Sequence, residues 1–364
     1  MKVPYIDIVG QHRKLRPELL KAFNRVLDRG DFVLGREVVE LEKKFAKYCG
    51  TRYAVALNSG TDALFLALKV IGVGKGDEVI TVPNSFIASA SSIVATGARP
   101  VFCDVCPDQN MDSQKLEAVI TKRTKAIMPV HLTGKIADMA PIMKVARKHK
   151  LFVIEDAAQA IGAVYRNKKA GSFGIIGCFS LHPLKTLNAC GDAGILTTND
   201  RELSIRLKQL RNIGLKNRIE SDELGYNSRL DTLQAAFVIM KMKYLNGWIA
   251  KRIDNAAYYT KRLKGIVGCP SENKFEKQAY HLYVIQTDKR DELQEFLMGR
   301  GIDTKIHYPI PIHLQKAVKE LGYKMGDFPI AEQQTKRILS LPIYQTLSKK
   351  QLNYVIKTIK EFFQ

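Results

Sequence analysis

The stretch Ser180-Leu-His-Pro-Leu-Lys185 decides the fold when it is read with Val153-Ile-Glu-Asp-Ala-Ala-Gln159 upstream. Lys185 follows one apolar run that is typical of a buried strand, and Asp156 ends another, 29 positions earlier. A lysine that forms a Schiff base, and a carboxylate that keeps a pyridine nitrogen protonated, are what a pyridoxal phosphate (PLP) site requires. The pair therefore predicts a PLP site at the end of a sheet.

Short apolar runs alternate with helical patterns over the first two-thirds of the chain. Continuous apolar runs are expected of strands that are buried on both faces, and βα alternation favours a mainly parallel sheet covered by helices. The helical segment Thr61–Ile71 lies between two such runs. The predicted fold class is α/β with a seven-stranded sheet, its strands being Tyr53–Leu57, Glu78–Val82, Pro100–Cys103, Ala126–Val130, Leu151–Glu155, Gly177–Ser180 and Gly194–Thr198.

The last third of the chain has a different pattern. Residues 1–249 are predicted to form a large cofactor-binding domain with an N-terminal arm, and residues 250–364 a smaller α+β domain. Helical patterns over Leu230–Trp248 and Arg252–Leu263 lie at the boundary between the two domains. In the smaller domain the patterns predict a strand at Tyr280–Gln286 and helices at Asp291–Met298, Phe328–Leu339 and Lys349–Phe363.

Composition limits the classes of function. The chain has 364 residues, 46% of them hydrophobic, and a formal net charge of +21. Its lysines are spread along the chain with no basic run interleaved with aromatics, so the charge favours attraction of an anionic small substrate over nucleic-acid binding. Cys103-Asp-Val-Cys106 has no second pair, so no metal site is predicted. No signal peptide or membrane span is predicted, which indicates a soluble cytoplasmic protein.

The stretch Asn58-Ser-Gly-Thr-Asp-Ala63 follows the first predicted strand and opens a helix. Ser59 and Asp62 have the spacing of a capping box, and Gly60 allows close approach of the backbone to a ligand. Free N–H groups and the helix dipole would then form a site for a cofactor phosphate. An ordinary capped helix at a βα junction gives the same pattern, so the prediction depends on the other motifs.

Each of several other side chains near these strands has two interpretations, one as a ligand-binding group and one as a structural residue. Phe86 can stack on a planar cofactor or lie in the core, and Gln159 can reach the same ligand as Asp156 or remain a surface amide. Asp156 itself fits a helix N-cap, and Ser180 fits a phosphate ligand or a cap. Lys185 lies between two leucines, which predicts partial desolvation and a lowered pKa; a surface lysine is the alternative.

Together, several blocks resemble the DegT/DnrJ/EryC1/StrS family, the PLP-dependent sugar aminotransferases of the fold type I class. The blocks occur in family order over nearly the whole chain, which makes the resemblance specific. They are Phe32–Gly35, Asn58–Leu64, Gly76–Ile80, Pro129–Gly134, Glu155–Ala160, Ser180–Lys185, Gly225–Asp231, Gly301–Thr304, His307–Pro309 and Leu339–Pro342.

The resemblance implies a role for each matching residue. Lys185 is similar to the lysine that holds the cofactor, and Asp156 to the partner of its ring nitrogen. The remaining cofactor-binding positions are Gln159 near the ring hydroxyl, Phe86 on the ring, and Gly60, Thr61 and Ser180 at the phosphate. Asn227 resembles a residue that reaches the phosphate of the neighbouring subunit, which implies a homodimer with shared active sites. His307, Tyr308 and His313 lie where the family approaches the sugar nucleotide.

The implied reaction is amino transfer from L-glutamate to a keto carbon of a nucleotide-linked deoxysugar. The segment His307–Gln315 and the turn Gly191-Asp-Ala-Gly194 favour C3 over C4. Ala193 and Leu181 depart from common family residues without changing the chemistry, and Lys185 excludes the dehydratase branch, which has histidine there. The alternatives are an aminotransferase for an unlinked keto sugar and a non-catalytic regulator of the same fold that binds DNA.

Overall fold

The structure, a computed structural model, describes residues 1–364. Four short 3-10 helices accompany eleven α-helices. The α-helices are α1 (Ile8–Leu27), α2 (Arg36–Cys49), α3 (Gly60–Val70), α4 (Ala88–Ala95), α5 (Met139–His149), α6 (Arg201–Leu210), α7 (Thr232–Met242), α8 (Leu245–Leu263), α9 (Arg290–Gly299), α10 (Pro329–Arg337) and α11 (Lys349–Phe363).

Twelve strands form three sheets. They are β1 (Tyr53–Leu57), β2 (Glu78–Thr81), β3 (Arg99–Phe102), β4 (Thr124–Ile127), β5 (Phe152–Asp156), β6 (Val164–Tyr165), β7 (Lys168–Lys169), β8 (Ile176–Ser180), β9 (Gly194–Thr198), β10 (Glu276–Lys277), β11 (Tyr283–Gln286) and β12 (Ile338–Leu341). The largest sheet has seven strands in the order β1-β9-β8-β5-β4-β2-β3. Only β9 runs antiparallel to its neighbours, which confirms the predicted mainly parallel α/β sheet.

Strand β9 brings the ends of β1 and β8 together. Both pair antiparallel with β9, and Leu57 and Ser180 each lie opposite Gly194. A Cβ atom on Gly194 would lie 2.0 Å from the carbonyl oxygen of Ser59, so only glycine fits there. The carboxyl ends of β1, β5 and β8 thus meet at one edge, where ligands gather in open α/β sheets.

Alternate side chains of each central strand enter different cores. In β5, Val153 packs into a core with α2 and α5, whereas Ile154 packs with α3 and α6 on the opposite face. This alternation is the pleat of a strand that is buried on both sides. The two cores hold the sheet rigidly and fix the direction of the side chains at the strand ends.

A third core lies in the C-terminal part of the chain and includes Tyr283, Leu339, Val355 and also Val3 from the N-terminus. The predicted boundary between residues 249 and 250 lies inside α8. Ile249 packs into the first core, and Tyr259, later in the same helix, into the third. Helix α8 therefore connects the two packing units without a break.

Several predicted element bounds differ from the structure. The predicted helix Phe328–Leu339 ends at Arg337, because the following residues form β12 and pair with β11. The predicted strand Tyr280–Gln286 begins only at Tyr283. The predicted helix Leu230–Trp248 begins at Thr232 and breaks between α7 and α8. In the first case the pairing of β12 with β11, and not the local pattern, sets the bound. No helix is long and apolar enough to cross a membrane.

Candidate active site

A cavity of about 400 Å³ lies at the carboxyl ends of β1, β5 and β8. It brings together nine of the residues that the sequence indicated, although they come from five separate segments of the chain. These residues are Gly60, Thr61, Phe86, Asp156, Gln159, Ser180, Lys185, His307 and Tyr308. Asn227 and His313 are not among its lining residues.

Asp156 ends β5 and is 4% exposed. Its Oδ2 accepts a hydrogen bond of 2.8 Å from Ser89 Oγ, and its Oδ1 accepts one of 3.2 Å from the Ala158 N–H. Burial raises the pKa of Asp156, while these hydrogen bonds and the charge of Lys185 lower it in part. A buried carboxylate of this kind has one natural partner, a positively charged group in the cavity.

Glu155, next to Asp156, points to the opposite side of the sheet, as the pleat predicts. Its carboxylate accepts hydrogen bonds from the N–H groups of Gly171, Phe173 and Gly174 and contacts His131 Nε2 at 3.0 Å. These contacts tie down the loop that leads into β8. Glu155 therefore supports the sheet, and Asp156 faces the cavity.

Lys185 lies in the turn that follows β8. Its N–H donates to the carbonyl of His182 at 2.8 Å, and its own carbonyl accepts from Asn188 Nδ2 at 2.9 Å. Burial lowers the pKa of the Lys185 amine to about 8, against a smaller opposing effect of Asp156. A much larger fraction of the amine is thus neutral near pH 7 than for a lysine in water, and only the neutral amine attacks a carbonyl.

The start of α3 forms the opposite wall. Ser59 caps the helix, because its Oγ accepts a hydrogen bond of 3.0 Å from the Asp62 N–H. A Cβ atom on Gly60 would lie 2.7 Å from the Cβ of Ser180, so the backbone at Gly60 needs the space that glycine leaves. The helix N-terminus, the Ser180 hydroxyl and Thr61 thereby converge on one end of the cavity, as an anion site requires.

Aromatic side chains cover the cavity. The rings of Phe86 and Tyr308 have centroids 5.7 Å apart, and Phe86 is 55% exposed. Gln159 Oε1 accepts from the Thr133 N–H at 2.8 Å, and its Nε2 donates to the Tyr308 hydroxyl at 3.4 Å. Gln159, three residues after β5, therefore links Thr133 to the C-terminal segment that carries Tyr308.

His307 is held by Ser340, whose Oγ lies 2.9 Å from Nδ1. Burial, and then the charges of Lys185 and Lys305, lower the pKa of His307 to about 4. The imidazole is consequently neutral near pH 7. The ring of Tyr5 stacks on it with centroids 5.7 Å apart, so the N-terminal segment closes this side.

The structure separates two predicted residues from the cavity of their own chain. Asn227 is exposed and forms an isolated bridge with Asn212. His313 is 2% exposed, its Nε2 lies 3.0 Å from Glu332 Oε1, and its ring packs edge-on against Phe328. The contact with Glu332 occupies one ring nitrogen of His313 inside the protein.

The lining residues that the sequence motifs did not indicate include Tyr5, Ser89, Arg252 and His281. Ser89 lies in the first turn of α4, three residues after Phe86, on the side of the helix that faces Asp156. Helical spacing from Phe86 could have indicated Ser89. The other three come from the N-terminus, from α8 and from the segment before β11, so only the folded chain brings them here.

The residues present fit PLP. The cavity has a buried carboxylate for a ring nitrogen, a lysine amine with a lowered pKa, aromatic cover and an anion site. Lys185 would hold the aldehyde carbon, Asp156 the ring nitrogen, and the start of α3 with Ser180 the phosphate. This set of groups is what a PLP site needs.

Comparison with known proteins agrees with this geometry. A profile of the DegT/DnrJ/EryC1/StrS aminotransferase family matches residues 13–360. The chain belongs to this family. The family predicted from the sequence motifs is confirmed, together with an aminotransferase activity that uses PLP.

Three similar proteins illustrate the match. A pleiotropic regulatory protein of Geobacillus stearothermophilus is 43% identical, over 100% of this chain and 99% of that protein. The dTDP-3-amino-3,4,6-trideoxy-alpha-D-glucose transaminase of Streptomyces venezuelae is 41% identical, over 99% of this chain and 96% of that protein. The crystal structure of S. venezuelae DesV superposes with a TM-score of 0.97 at 41% identity, covering 100% of this chain and 99% of that one. Other similar structures were solved in PLP or pyridoxamine phosphate (PMP) forms.

Proposed function

We propose that this aminotransferase moves an amino group from L-glutamate to the C3 keto carbon of a nucleotide-linked deoxysugar, for aminosugar biosynthesis. The observation that carries the proposal is the placement of Lys185 and Asp156 in one cavity that also contains an anion site and an aromatic cover. A sugar aminotransferase needs this combination. A regulator without catalysis would need neither the lysine nor the carboxylate.

The residues divide the chemistry between them. When bound, PLP supplies an electron sink, which would accept the electron pair of the C–H bond at the carbon that carries the amino group. Asp156 holds a proton at the ring nitrogen, which keeps the sink effective. The Lys185 amine takes a proton from one carbon and gives it to another. Its lowered pKa of about 8 allows both steps near neutral pH.

The identity of the sugar is supported by the relatives. The S. venezuelae transaminase is named for a dTDP-linked 3-amino sugar, and a 41% identical protein of Acidithiobacillus ferrooxidans for a 3-amino transfer to a UDP-linked sugar. Both names agree with the preference for C3 that the segment around His307 indicated. Phe86, Tyr308 and the neutral His307 provide a surface with hydrogen-bonding groups for a sugar ring.

The functional unit that we propose is a homodimer with shared sites. Asn227 lies outside the cavity of its own chain, so a role at a cofactor phosphate requires a second copy. Nearby, Ile219 and Leu224 are 91% and 95% exposed. Exposed large apolar side chains in one loop are typical of a surface that another chain covers. L-glutamate and a keto-sugar nucleotide would then meet at a site that two subunits complete.

The proposal is tested with purified protein loaded with PLP. L-glutamate alone should convert the bound cofactor to PMP, seen as loss of the long-wavelength absorbance. The PMP form is then offered 3-keto and 4-keto sugars linked to dTDP or UDP, and an unlinked 3-keto sugar. Mass spectrometry should find the 3-amino nucleotide sugar. Amination of the 4-keto or the unlinked sugar alone would contradict the proposal, and failure of both the reaction with glutamate and the amination would favour the regulator.

A further inference from the structure

Arg252 of α8 is a buried cation that lines the same cavity as Lys185. It is 2% exposed and forms no ion pair with any Asp or Glu of the chain. Leaving a charged group unpaired in the interior is expensive, and proteins rarely do so without a function. The roles of Lys185 and Asp156 in amino transfer do not explain why Arg252 is buried without an ion-pair partner.

The hydrogen bonds of Arg252 are incomplete. Nη1 donates to the carbonyl oxygens of Tyr280, His281 and Ile343, at 3.1, 3.2 and 2.9 Å. Nε is buried and has no hydrogen-bond partner. Nη1 thus anchors the guanidinium to the backbone, while Nη2, which the protein does not enclose, forms no hydrogen bond. A planar fork with free donors matches a carboxylate.

The surroundings of Arg252 favour an anion over a cation. His281 lines the cavity too, and its Nδ1 is buried without a partner. Burial and the nearby charges of Lys185 and Arg252 hold the pKa of His281 well below its ordinary value, so this ring adds no charge. Burial also lowers the pKa of Arg252, to about 10, against a smaller opposing effect of Tyr5.

We propose that Arg252 binds a carboxylate of the amino donor, beside Lys185 in the same cavity. This inference rests on the proposed function, because it needs an amino acid as donor. The phosphate of the cofactor already has the start of α3 and Ser180 as its site. The carboxylate of an amino acid is the other anion that must enter the cavity in every cycle.

Glutarate is the probe for this site, because it has two carboxylates and no amino group that could react. Isothermal titration calorimetry measures its Kd for the PLP-loaded wild type and for Arg252→Gln. We expect the Kd to rise at least about tenfold in the variant, the usual effect of losing a hydrogen-bonded charge. The Kd for PLP should not change. No measurable binding of glutarate to the wild type would overturn the proposal.

Arg290 offers a matched control. It is also buried, and its Nη1 also donates to backbone carbonyls, those of Thr335 and Ile338, but it does not line the cavity. Arg290→Gln should leave the Kd for glutarate unchanged. An equal loss in both variants would show a general structural effect and contradict the proposal. So would a loss of PLP affinity in Arg252→Gln with unchanged glutarate binding.

If Arg252→Gln does not fold, Arg252→Lys replaces it, because a lysine can keep the charge and one anchor to the carbonyls. Since lysine lacks the planar fork, the Kd for glutarate should still rise severalfold. An unchanged Kd would overturn the proposal.

The two half-reactions provide a second readout. Conversion of the PLP form by L-glutamate should slow in Arg252→Gln, whereas amination of the keto sugar by preformed PMP enzyme should keep its rate. Equal slowing of both would contradict a donor site. If the wild type does not react with glutamate while glutarate binding still depends on Arg252, the proposed donor is wrong and the carboxylate site stands.

Discussion

Ser89 Oγ donates a hydrogen bond of 2.8 Å to Asp156 Oδ2, and Ser85 Oγ lies 2.7 Å from Ser89 Oγ. The carboxylate at the end of β5 is therefore held from α4, an element that lies 67 residues earlier in the chain. Its direction depends on this contact as well as on the strand. This relationship leads to the first prediction.

Ser89→Ala should slow the reaction with glutamate roughly tenfold, because a hydrogen bond to a charged group contributes about 1.5–3 kcal/mol. Loss of this donor should also raise the pKa of Asp156 further, since the hydrogen bond from Ser89 lowers it. The acid limb of the pH–rate profile should then move to higher pH.

The control for Ser89→Ala is Ser92→Ala. Ser92 is in the same helix and equally buried, but its hydroxyl donates to the Ser89 carbonyl and does not contact Asp156. The profile of Ser92→Ala should match the wild type. Coinciding profiles for Ser89→Ala and the wild type would contradict the role of Ser89.

Lys185→Ala should abolish covalent attachment of PLP. Lys185 is the one lysine that lines the cavity, so no other amine is placed to replace it. Borohydride reduction followed by peptide mass spectrometry should label Lys185 in the wild type and no lysine in the variant. A labelled lysine in Lys185→Ala would show that the assignment is wrong.

Asp156→Asn should bind PLP and lose nearly all turnover. An amide has the shape of the carboxylate but cannot keep the ring nitrogen protonated. In a serine protease, replacing an orienting aspartate by asparagine costs about 10⁴ in rate, and we expect a loss of that order. Absorbance measures how much PLP the variant retains, and stopped-flow kinetics measures the rate of its reaction with glutamate. Turnover near that of the wild type would exclude this role.

The rate at which the apoprotein captures PLP should increase with pH with a midpoint near 8, because the pKa of Lys185 is about 8 and its neutral form is the nucleophile. The direction in which Asp156→Asn should shift this midpoint follows from the interaction between Asp156 and Lys185. The negative charge of Asp156 raises the pKa of Lys185, so its removal should move the midpoint to lower pH. A midpoint near that of free lysine would contradict the burial of this amine.

Coexpression tests the shared site. Asn227→Asp places a negative charge beside the phosphate in the proposed dimer and should weaken PLP binding, and Lys185→Ala is inactive for a different reason. If the two residues serve the same site from different chains, mixed dimers contain one site with both lesions and one intact site. Part of the activity should then return. No recovery in purified mixed dimers, or a monomer by light scattering at assay concentration, would contradict the shared site.

Much of this protein was predictable from local sequence because its signals are local. Continuous apolar runs predict β1, β5 and β8, and Ser59 with Asp62 predicts the start of α3. Parallel strands place their carboxyl ends at one edge, so the sequence also predicts that Lys185 and Asp156 approach each other.

Only the tertiary structure decided what surrounds that pair. Tyr5, Ser89, Arg252 and His281 enter the cavity from four distant segments, and the packing of α8 buries Arg252 without a counter-ion. The predicted helix Phe328–Leu339 likewise ends two residues early, because Ile338 and Leu339 belong to β12, which pairs with β11. Such contacts depend on how the cores pack, and the local hydrophobic pattern of the sequence does not predict them. The sequence alone thus determined the strands, the helix cap and the catalytic pair, whereas packing between distant segments decided the environment in which the pair acts.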